Sequence, residues 1–303
     1  MSLETGAASL TVTEQGVTGP VELRRAQRGD RWKSGLKRLG RSPGLILAIL
    51  VLLVMAIAAV FPQLLAAGDP YATNPAGSLL PPGTSGHLLG TDIVGRDLYT
   101  RVVFGARDSL LAAALAMVIS LVGGSLLGLL AGYFGGRTDA VIMRVVDVMM
   151  AFPALLLAMA IITAIGFGTL AVAVAVGVVG IAAMTRLMRS EVLRVRRREY
   201  VEAAGLSGAG WVTILLRHVL PNASGPAIVL AVLDFGTAIL AISSLSFLGF
   251  GAPPPSPEWG SLIADGRAYL TSAWWLSTFP GLAIAAVVLA SNHVARSFDG
   301  GSR

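Results

Sequence analysis

The chain has no cysteine among its 303 residues, which excludes disulfide bonds, thiolate metal sites and cysteine nucleophiles. Its three histidines, His87, His218 and His293, are far apart and lack the spacing of metal ligands. The sequence also lacks the phosphate-binding pattern Gly-x-x-x-x-Gly-Lys-Ser/Thr, so we expect no ATP site within the chain. These absences predict a protein that is not an enzyme and binds no metal or cofactor of its own.

Charged residues are also scarce. They make up 13% of the chain, whereas hydrophobic residues make up 54%. Soluble proteins usually carry about 25% charged residues. Several charge-free runs reach the length of about 20 residues that a helix needs to cross a bilayer. The composition and the number of these runs predict an all-α polytopic membrane protein with six transmembrane helices.

The net charge of +6 comes mainly from arginines beside the predicted spans. With six spans and both termini in the cytoplasm, all but four of the 23 Lys and Arg residues would lie on the cytoplasmic side. The four exceptions are Arg96, Arg101, Arg107 and Arg267. This distribution follows the inside-positive bias of membrane proteins. We therefore expect a multi-pass protein of the cytoplasmic membrane, in contact with lipid and without a nucleic-acid partner.

Apolar runs divide the chain into segments. The run from Leu45 to Ala67 is charge-free and exceeds the apolar region of about 7–15 residues in a secretory signal, so it predicts a transmembrane helix. The predicted segments are a cytoplasmic tail (1–43), transmembrane helix 1 (44–68), an extracytoplasmic loop (69–107), a five-helix core (108–296) containing a cytoplasmic loop (186–222), and a carboxyl-terminal tail (297–303).

Glycines mark the architecture of the five-helix core. Gly124, Gly128 and Gly132 repeat a small residue at every fourth position of the second span, which predicts a face for close helix packing in lipid. The charge-free run 148–185 is too long for one span. The glycine-rich segment 166–169 within it predicts a turn between the third and fourth spans.

Asp234 is an acidic residue deep within the apolar sequence of the fifth predicted span. A charge at the centre of a membrane helix costs at least about 2.5–3.5 kcal/mol, so this side chain should face the bundle interior, water or a partner. One interpretation is a residue of the translocation path that senses the ammonium group of a substrate. The other, which we favour from the sequence, is a structural hydrogen bond to Ser243, Ser244 or a neighbouring subunit.

The stretch from Glu199 to Asn222 lies between two long apolar runs. Good helix formers at its start are followed by Gly205, Gly208 and Gly210, which predicts a short helix, a tight turn and a second helix. Many arginines surround this stretch, which places it on the cytoplasmic side. We expect it to present a surface on which another protein docks.

Six residues of this stretch form a pattern: Glu202, Ala203, Ala204, Gly208, Leu220 and Pro221. The pattern resembles the EAA signature of ATP-binding-cassette importer permeases, although His218 stands where that family usually has an aliphatic residue. The resemblance implies the type I importer permease fold, with this loop as the coupling helix that docks into a cytoplasmic ATPase subunit. The alternative is a basic interhelical loop in which Glu-Ala-Ala occurs by chance.

A second pattern ends the predicted outer loop. It reads His-x-Leu-Gly-Thr-Asp-x-x-Gly-Arg-Asp-x-x-x-Arg-x-x-x-Gly-Ala-Arg from His87 to Arg107, and it resembles the second-subunit members of the dipeptide, oligopeptide and nickel permease family. Candidate docking residues for a binding protein are Asp92, Arg96, Asp97, Arg101 and Arg107. Thr91 or Asp92 can cap a helix start, and Asp97 and Arg101 would share one helix face. The alternative is a surface helix whose charges are only solvated.

A proline-rich segment, 251–260, follows the fifth span and includes Pro257-Glu258-Trp259-Gly260. Because each proline fixes its φ angle, the segment predicts a stiff outer cap between two helices. It resembles the same permease subgroup.

These resemblances imply that the energy source is a partner. The chain would pair with a homologous permease subunit, two cytoplasmic ATP-binding subunits that use ATP and Mg, and an extracytoplasmic substrate-binding protein. The implied substrate is a di- or oligopeptide, with nickel or a haem-type compound as the alternative. A self-sufficient secondary transporter would need ionisable residues near the midplane, of which the sequence offers Asp234 alone, and inverted repeats, of which none is apparent. A membrane scaffold is a third hypothesis.

Overall fold

The computed structural model describes residues 43–299. The chain divides into two compact units, 1–46 and 47–303, and the described part of the first is the opening turn of helix α1. The predicted amino-terminal tail lies outside the described residues except for Pro43, and residues 297–299 of the predicted carboxyl-terminal tail continue the last helix.

The described chain is helical and contains no named β-strand between residues 43 and 299. The helices are α1 (Pro43–Val60), α2 (Leu98–Phe134), α3 (Gly136–Ala151), α4 (Ala154–Ile165), α5 (Thr169–Arg196), α6 (Glu199–Leu206), α7 (Trp211–Phe247), α8 (Trp259–Gly266) and α9 (Trp275–Asp299). Short 3₁₀ turns lie at Pro62–Leu64, Pro75–Gly77 and Arg267–Tyr269.

Five of these helices, α1, α2, α5, α7 and α9, are long and apolar enough to cross a membrane. The pair α3 and α4 adds a sixth span only if it is counted as one, because the two helices are bent by 100° relative to each other. Phe152 at the break is extended, at φ −94° and ψ 144°. That conformation is the one that a following proline, here Pro153, imposes. The predicted all-α polytopic membrane fold is confirmed.

Helices α2 and α5 approach closely because α2 has glycines where they touch. A Cβ atom at Gly124 would lie 2.5 Å from the Cβ of Met184, and one at Gly128 would lie 2.6 Å from that of Met188. A Cβ atom at Gly132 would lie 2.8 Å from the Cβ of Val192. Contacts this short do not occur between real Cβ atoms, so only glycine allows this separation. The predicted packing face on α2 is confirmed.

Helix α3 is held against α5 by two ion pairs. Arg189 donates to both carboxylate oxygens of Asp139, with a distance of 2.6 Å from its Nη2 to Oδ2. Arg186 donates to Asp147 at 2.7 Å. Both arginines lie in the second half of α5, so α3 runs beside the polar part of that span.

Three apolar clusters fill the interior of residues 47–299, and the smallest joins Leu98 of α2 to Trp275 and Leu276 of α9. The largest cluster joins α2, α4, α5, α7, α8 and α9, and the end of α1. The second lies at the polar end of α5 and contains Met188 and Val195 of α5, Val201 of α6, and Ile214 and Val219 of α7. Helix α6 is therefore attached to two spans through one buried cluster.

We predict that Gly128→Ala destabilises the protein, because the new methyl group would overlap both Met188 and the backbone oxygen of Thr185. Overpacking of this kind costs about 1–3 kcal/mol. The matched control is Gly225→Ala in α7, where a Cβ atom meets nothing within 4 Å and alanine is the better helix former. The measurement is the melting temperature of the detergent-purified protein. An unchanged melting temperature for Gly128→Ala would contradict the packing described here.

Candidate functional site

The turn between α6 and α7 is closed by a left-handed glycine. Helix α6 ends at Leu206, and Gly208 has a φ angle of +81°. The Ala209 N–H donates to the Ala204 carbonyl at 3.2 Å, and the Gly208 N–H donates to the Gly205 carbonyl at 3.0 Å. These two bonds form a Schellman motif, which satisfies carbonyls that a helix end otherwise leaves unpaired. Gly208 thus sets the direction in which the chain leaves α6.

The exposed face of α6 carries the Glu-Ala pair of the predicted signature. Glu202 and Ala203 are exposed and Ala204 is half-buried, whereas Val201 is 5% exposed and belongs to the second apolar cluster. Leu206, at the end of the helix, is 91% exposed. Helix α6 therefore binds its own chain through one face and leaves an acid and an apolar side chain free for a partner.

Further apolar side chains of α6 and of the start of α7 are also exposed. Tyr200, Trp211, Val212 and Leu216 are each 45–55% exposed. Exposed apolar groups that cluster together on a helical turn are typical of protein interaction sites. We call the exposed set Tyr200, Glu202, Ala203, Leu206 and Trp211 the loop face.

The signature ends where α7 is irregular. Residues Ile214–Val219 form a π-helical segment directly before Leu220 and Pro221. Pro221 has no N–H to donate to the preceding turn, and a wider turn accommodates its ring. His218 is half-buried in this segment, and its backbone carbonyl accepts a hydrogen bond from the Asn222 side chain at 2.6 Å.

Arginine and aromatic contacts tie the loop to the end of α2. Arg196 donates to the Tyr133 carbonyl at 2.7 Å, and its guanidinium lies 5.7 Å from the centre of the Tyr133 ring. The rings of Phe134 and Trp211 are 5.3 Å apart between centroids. The loop between α5 and α7 is therefore fixed on two sides, by α2 and by the second apolar cluster.

The second predicted site, before α2, is largely buried. Asp92 accepts hydrogen bonds from the backbone N–H groups of Val94 at 3.0 Å and Arg96 at 2.9 Å. Its carboxylate also pairs with the side chain of Arg96, and lies 3.5 Å from Nε of Arg101. Asp92, Arg96 and Arg101 are 6%, 8% and 1% exposed. The prediction of a merely solvated face is wrong for these three residues.

Arg101 joins distant parts of the chain. Its Nη1 donates to the carbonyls of Pro70 and Pro255, each at 3.2 Å. The guanidinium therefore holds the outer loop against the proline-rich segment before α8. The docking role predicted for Asp92, Arg96 and Arg101 stays a prediction, and their burial limits any such role to shaping the surface around them.

The helix cap of α2 is Asp97 rather than Thr91 or Asp92. Its carboxylate accepts from the Thr100 N–H at 2.8 Å, and lies 3.0 Å from Nδ1 of His87. The side chains of Asp97 and Arg101 do not pair, because Asp97 caps the first turn of α2 and Arg101 contacts Asp92. The side chain of Arg107, six residues after Arg101 in α2, is exposed.

Glu258 is a buried residue whose function the sequence did not reveal. It is fully buried and caps α8, accepting from the N–H groups of Gly260 and Ser261 at 3.0 Å each. The next residue, Trp259, donates its indole N–H to the Val102 carbonyl at 2.8 Å. Glutamate is not among the residues preferred at helix N-caps, so the sequence carried no local signal for this role. The proline-rich segment 251–260, predicted as a stiff connection between two helices, is thus held to α2 by hydrogen bonds.

Asp234 lies in α7 and lines a cavity of about 220 Å³. Ser243 and Ser244 lie nine and ten residues further along the same helix, about 14 Å away at 1.5 Å per residue. The Ser244 hydroxyl donates to the Leu240 carbonyl instead, at 2.7 Å. Of the interpretation that we favoured, the hydrogen bond to Ser243 or Ser244 is therefore wrong, and the hydrogen bond to a neighbouring subunit stays a prediction.

The cavity is formed by four helices, and most of its wall is apolar. The lining residues are Ala116, Met117 and Ser120 of α2, Ala154 of α4, Val176, Val179 and Gly180 of α5, and Asp234, Thr237, Ala238 and Ala241 of α7. Asp234 is half-buried there.

Comparisons with known proteins agree with this architecture. A family model described as "Binding-protein-dependent transport system inner membrane component" matches residues 124–300. The dipeptide transport system permease protein DppC of Alkalihalophilus pseudofirmus is 40% identical over 87% of this chain and 86% of that protein. The di/tripeptide transport system permease protein DppC of Pseudomonas aeruginosa is 42% identical over 86% of each chain. The glutathione transport system permease protein GsiD of Pectobacterium atrosepticum is 42% identical over 69% of each.

The fold is also found among solved structures. A crystal structure of an amino acid ABC transporter with histidines matches with a TM-score of 0.52 and 13% identity, over 66% of this chain and 94% of that chain. At this identity the likeness concerns the fold alone, and it agrees with the importer permease fold expected from the sequence.

The family model matches more than half of the chain. The dipeptide permease relative from Pseudomonas aeruginosa is 42% identical to this chain over 86% of its length. The predicted family is confirmed. The chain therefore belongs to the binding-protein-dependent transport system inner membrane components, the permeases of ATP-binding-cassette importers, and within them to the dipeptide-permease-like subgroup.

Proposed function

We propose that this chain is a permease subunit of an ATP-driven importer of di- and oligopeptides. The observation that carries this proposal is the similarity of 40–42% identity over about 86% of the chain to relatives named for dipeptide and di/tripeptide transport. The relative named for glutathione transport, at 42% identity, is also named for a short peptide. Peptides are therefore the substrate class that the comparisons favour over nickel or haem-type compounds.

The partners proposed from the sequence are a homologous permease subunit, two cytoplasmic ATP-binding subunits and an extracytoplasmic binding protein. Membership of the family supports ATPase and binding-protein partners in general. ATP and Mg would be used by the ATP-binding subunits, which supply the energy for transport. The heterodimer of permeases is the arrangement in which this chain forms half of the translocation path.

We place both termini in the cytoplasm of a multi-pass protein of the cytoplasmic membrane. The support is the distribution of basic residues. The end of α5 and the link to α6 are rich in arginine, including Arg194, Arg197 and Arg198, which line one cleft. Basic residues concentrate on the cytoplasmic side of membrane proteins. Helix α6 then faces the cytoplasm, where ATP-binding subunits dock.

The coupling mechanism follows from how α6 is attached. An ATP-binding subunit that presses on the loop face would displace α6, with Glu202, Ala203, Ala204, Gly208, Leu220 and Pro221 as the proposed coupling residues. Val201 of α6 is buried with Val195 of α5 and Ile214 of α7, so the displacement would move the ends of both spans. Packed helices respond to such a force by shifting as units, which is the basis of alternating access.

On the outer side, Arg107 is the docking candidate whose side chain is accessible. Arg101 is buried and holds the proline-rich segment. We propose that Arg107 contacts the binding protein directly, whereas Asp92, Arg96, Asp97 and Arg101 maintain the shape of the docking surface.

We predict that Gly208→Ala uncouples ATP hydrolysis from peptide uptake. A residue with a Cβ atom at φ +81° is strained by about 1–2 kcal/mol, which would shift the α6 turn. The matched control is Gly210→Ala, because Gly210 has a φ angle of −65° and a Cβ atom there meets nothing within 4 Å. The measurement is peptide taken up per ATP hydrolysed by the reconstituted importer. Equal ratios for the two variants would count against coupling through this turn.

The two arginines at the start of α2 should differ in their effect. Arg107→Ala should weaken the stimulation of ATP hydrolysis by the loaded binding protein, while the amount of assembled complex stays unchanged. Arg101→Ala removes a buried guanidinium that donates to the carbonyls of Pro70 and Pro255, and should lower the yield of folded complex. The measurements are the yield after size-exclusion chromatography and the stimulated ATPase rate. A normal yield for Arg101→Ala would show that the buried contacts are dispensable.

A further inference from the structure

The cavity beside Asp234 contains more polar groups than the fold uses. Among residues 43–299, the Asp234 carboxylate has no hydrogen-bond or ion-pair partner. The Ser120 hydroxyl, on the facing helix α2, is 3% exposed and also has no partner in this part of the chain. Buried polar groups in proteins nearly always have a hydrogen-bond partner. A buried group without one, such as the Ser120 hydroxyl, is therefore a candidate for binding a ligand.

The cavity wall is shaped around these groups. A Cβ atom at Gly180 of α5 would lie 2.7 Å from the Ser120 Oγ, so glycine at this position leaves room for the hydroxyl. The third polar group is Thr237, one turn from Asp234. Its hydroxyl donates to the Asp234 backbone carbonyl at 3.0 Å, which leaves the lone pairs of Oγ1 available as acceptors. The remaining lining residues are alanine, valine, methionine and glycine.

We propose that this cavity binds the amino-terminal ammonium group of a peptide as it crosses the membrane, with Asp234, Ser120 and Thr237 as acceptors. The inference rests on the proposed function and deepens it by assigning a site for one part of the substrate. An ammonium group has three N–H donors and no acceptor, which matches three acceptor side chains. The Asp234 carboxylate supplies the opposite charge. A hydrogen bond from the ammonium group to this carboxylate is stronger than one to the hydroxyl of Ser120 or Thr237.

The size of the cavity is also consistent with a site that binds part of a peptide during transport. Its volume of about 220 Å³ exceeds that of a water molecule several times. It is smaller than the pockets of about 300–1,000 Å³ that enclose a drug-sized ligand. The cavity therefore has room for the amino-terminal residue of a peptide but not for a long chain. A site on a translocation path must release its ligand as readily as it binds it, which a partial enclosure allows.

The binding test uses the purified complex of both permeases and both ATP-binding subunits, without the binding protein. Millimolar dialanine should raise its melting temperature, because a ligand that binds only the folded state stabilises it. N-acetyl-dialanine, which lacks the ammonium group, should produce no shift. Asp234→Asn should abolish the shift with dialanine, and Asp234→Glu should retain part of it. Equal shifts with both peptides, or no shift for the unmodified complex, would overturn the proposal.

The transport test separates this site from the proposed function. The reconstituted importer with saturating loaded binding protein should take up labelled dialanine or trialanine. Asp234→Asn should reduce uptake per ATP by about tenfold or more, as expected for the loss of a charge-assisted hydrogen bond. Unchanged uptake by Asp234→Asn would overturn the site and leave the peptide importer intact. Failure of the unmodified importer to carry any peptide would instead refute the proposed function.

A serine pair provides a control that does not depend on the folding of Asp234→Asn. Ser120 and Ser243 are both buried hydroxyls without a partner among residues 43–299, but only Ser120 lines the cavity. Ser120→Ala should weaken the dialanine shift, and Ser243→Ala should leave it unchanged. If the two variants behave alike, the hydroxyl of Ser120 does not bind the peptide and the proposal fails.

Discussion

The close contact between α2 and α5 is the constraint on which the described fold depends. Lipid tails are as apolar as the helices, so the hydrophobic effect does little to hold membrane helices together and association depends on packing. Gly124, Gly128 and Gly132 let α2 approach α5 from one side, and Gly177 of α5 does the same from the other, since a Cβ atom there would lie 2.8 Å from the Cβ of Ile119. The contact runs from the cavity to the loop between α5 and α7.

The two ends of this contact are built differently. At the end that carries the loop before α2, buried hydrogen bonds and ion pairs around Asp92, Arg101 and Glu258 connect this loop and α2 to the segment around the start of α8. Buried charge networks of this kind hold a specific geometry because each partner would be costly to leave unpaired. Toward the other end, α6 is attached by apolar contacts and a single glycine turn. The structure therefore combines a cap of buried polar contacts at one end with a loop at the other end that is held mainly by apolar contacts.

Much of this could be predicted from the sequence, because it depends on local composition. Charge-free length predicted the spans, the repeat of glycines predicted the packing face on α2, and the glycines after Leu206 predicted the turn. The resemblance to importer permeases predicted the family. These features each involve residues that are close in sequence.

The remaining features depend on contacts between distant residues. Arg101 bonds to the Pro255 carbonyl, 154 residues away, and sequence spacing suggested only its neighbour Asp97. The sharp bend between α3 and α4 likewise accompanies ion pairs from α3 to α5, which the sequence did not identify. The sequence identified Asp234 as an unusual acid within a span. It also suggested hydrogen bonds to Ser243 and Ser244, which lie too far along the same helix. The surroundings of Asp234 come from α2, α4 and α5, and only the fold brings these together.

Helix α5 connects the loop face to the cavity. Val176, Val179 and Gly180 line the cavity, and Val195 packs in the cluster that contains Val201 of α6. Gly180 and Val195 are separated by 15 residues, or about 22 Å of helix. Because α5 is held by the glycines of α2 and by the ion pairs to α3, it is more easily shifted as a unit than bent locally. A displacement of α6 would then alter the wall beside Ser120, so that docking of an ATP-binding subunit and release of a bound ammonium group would be linked through one helix.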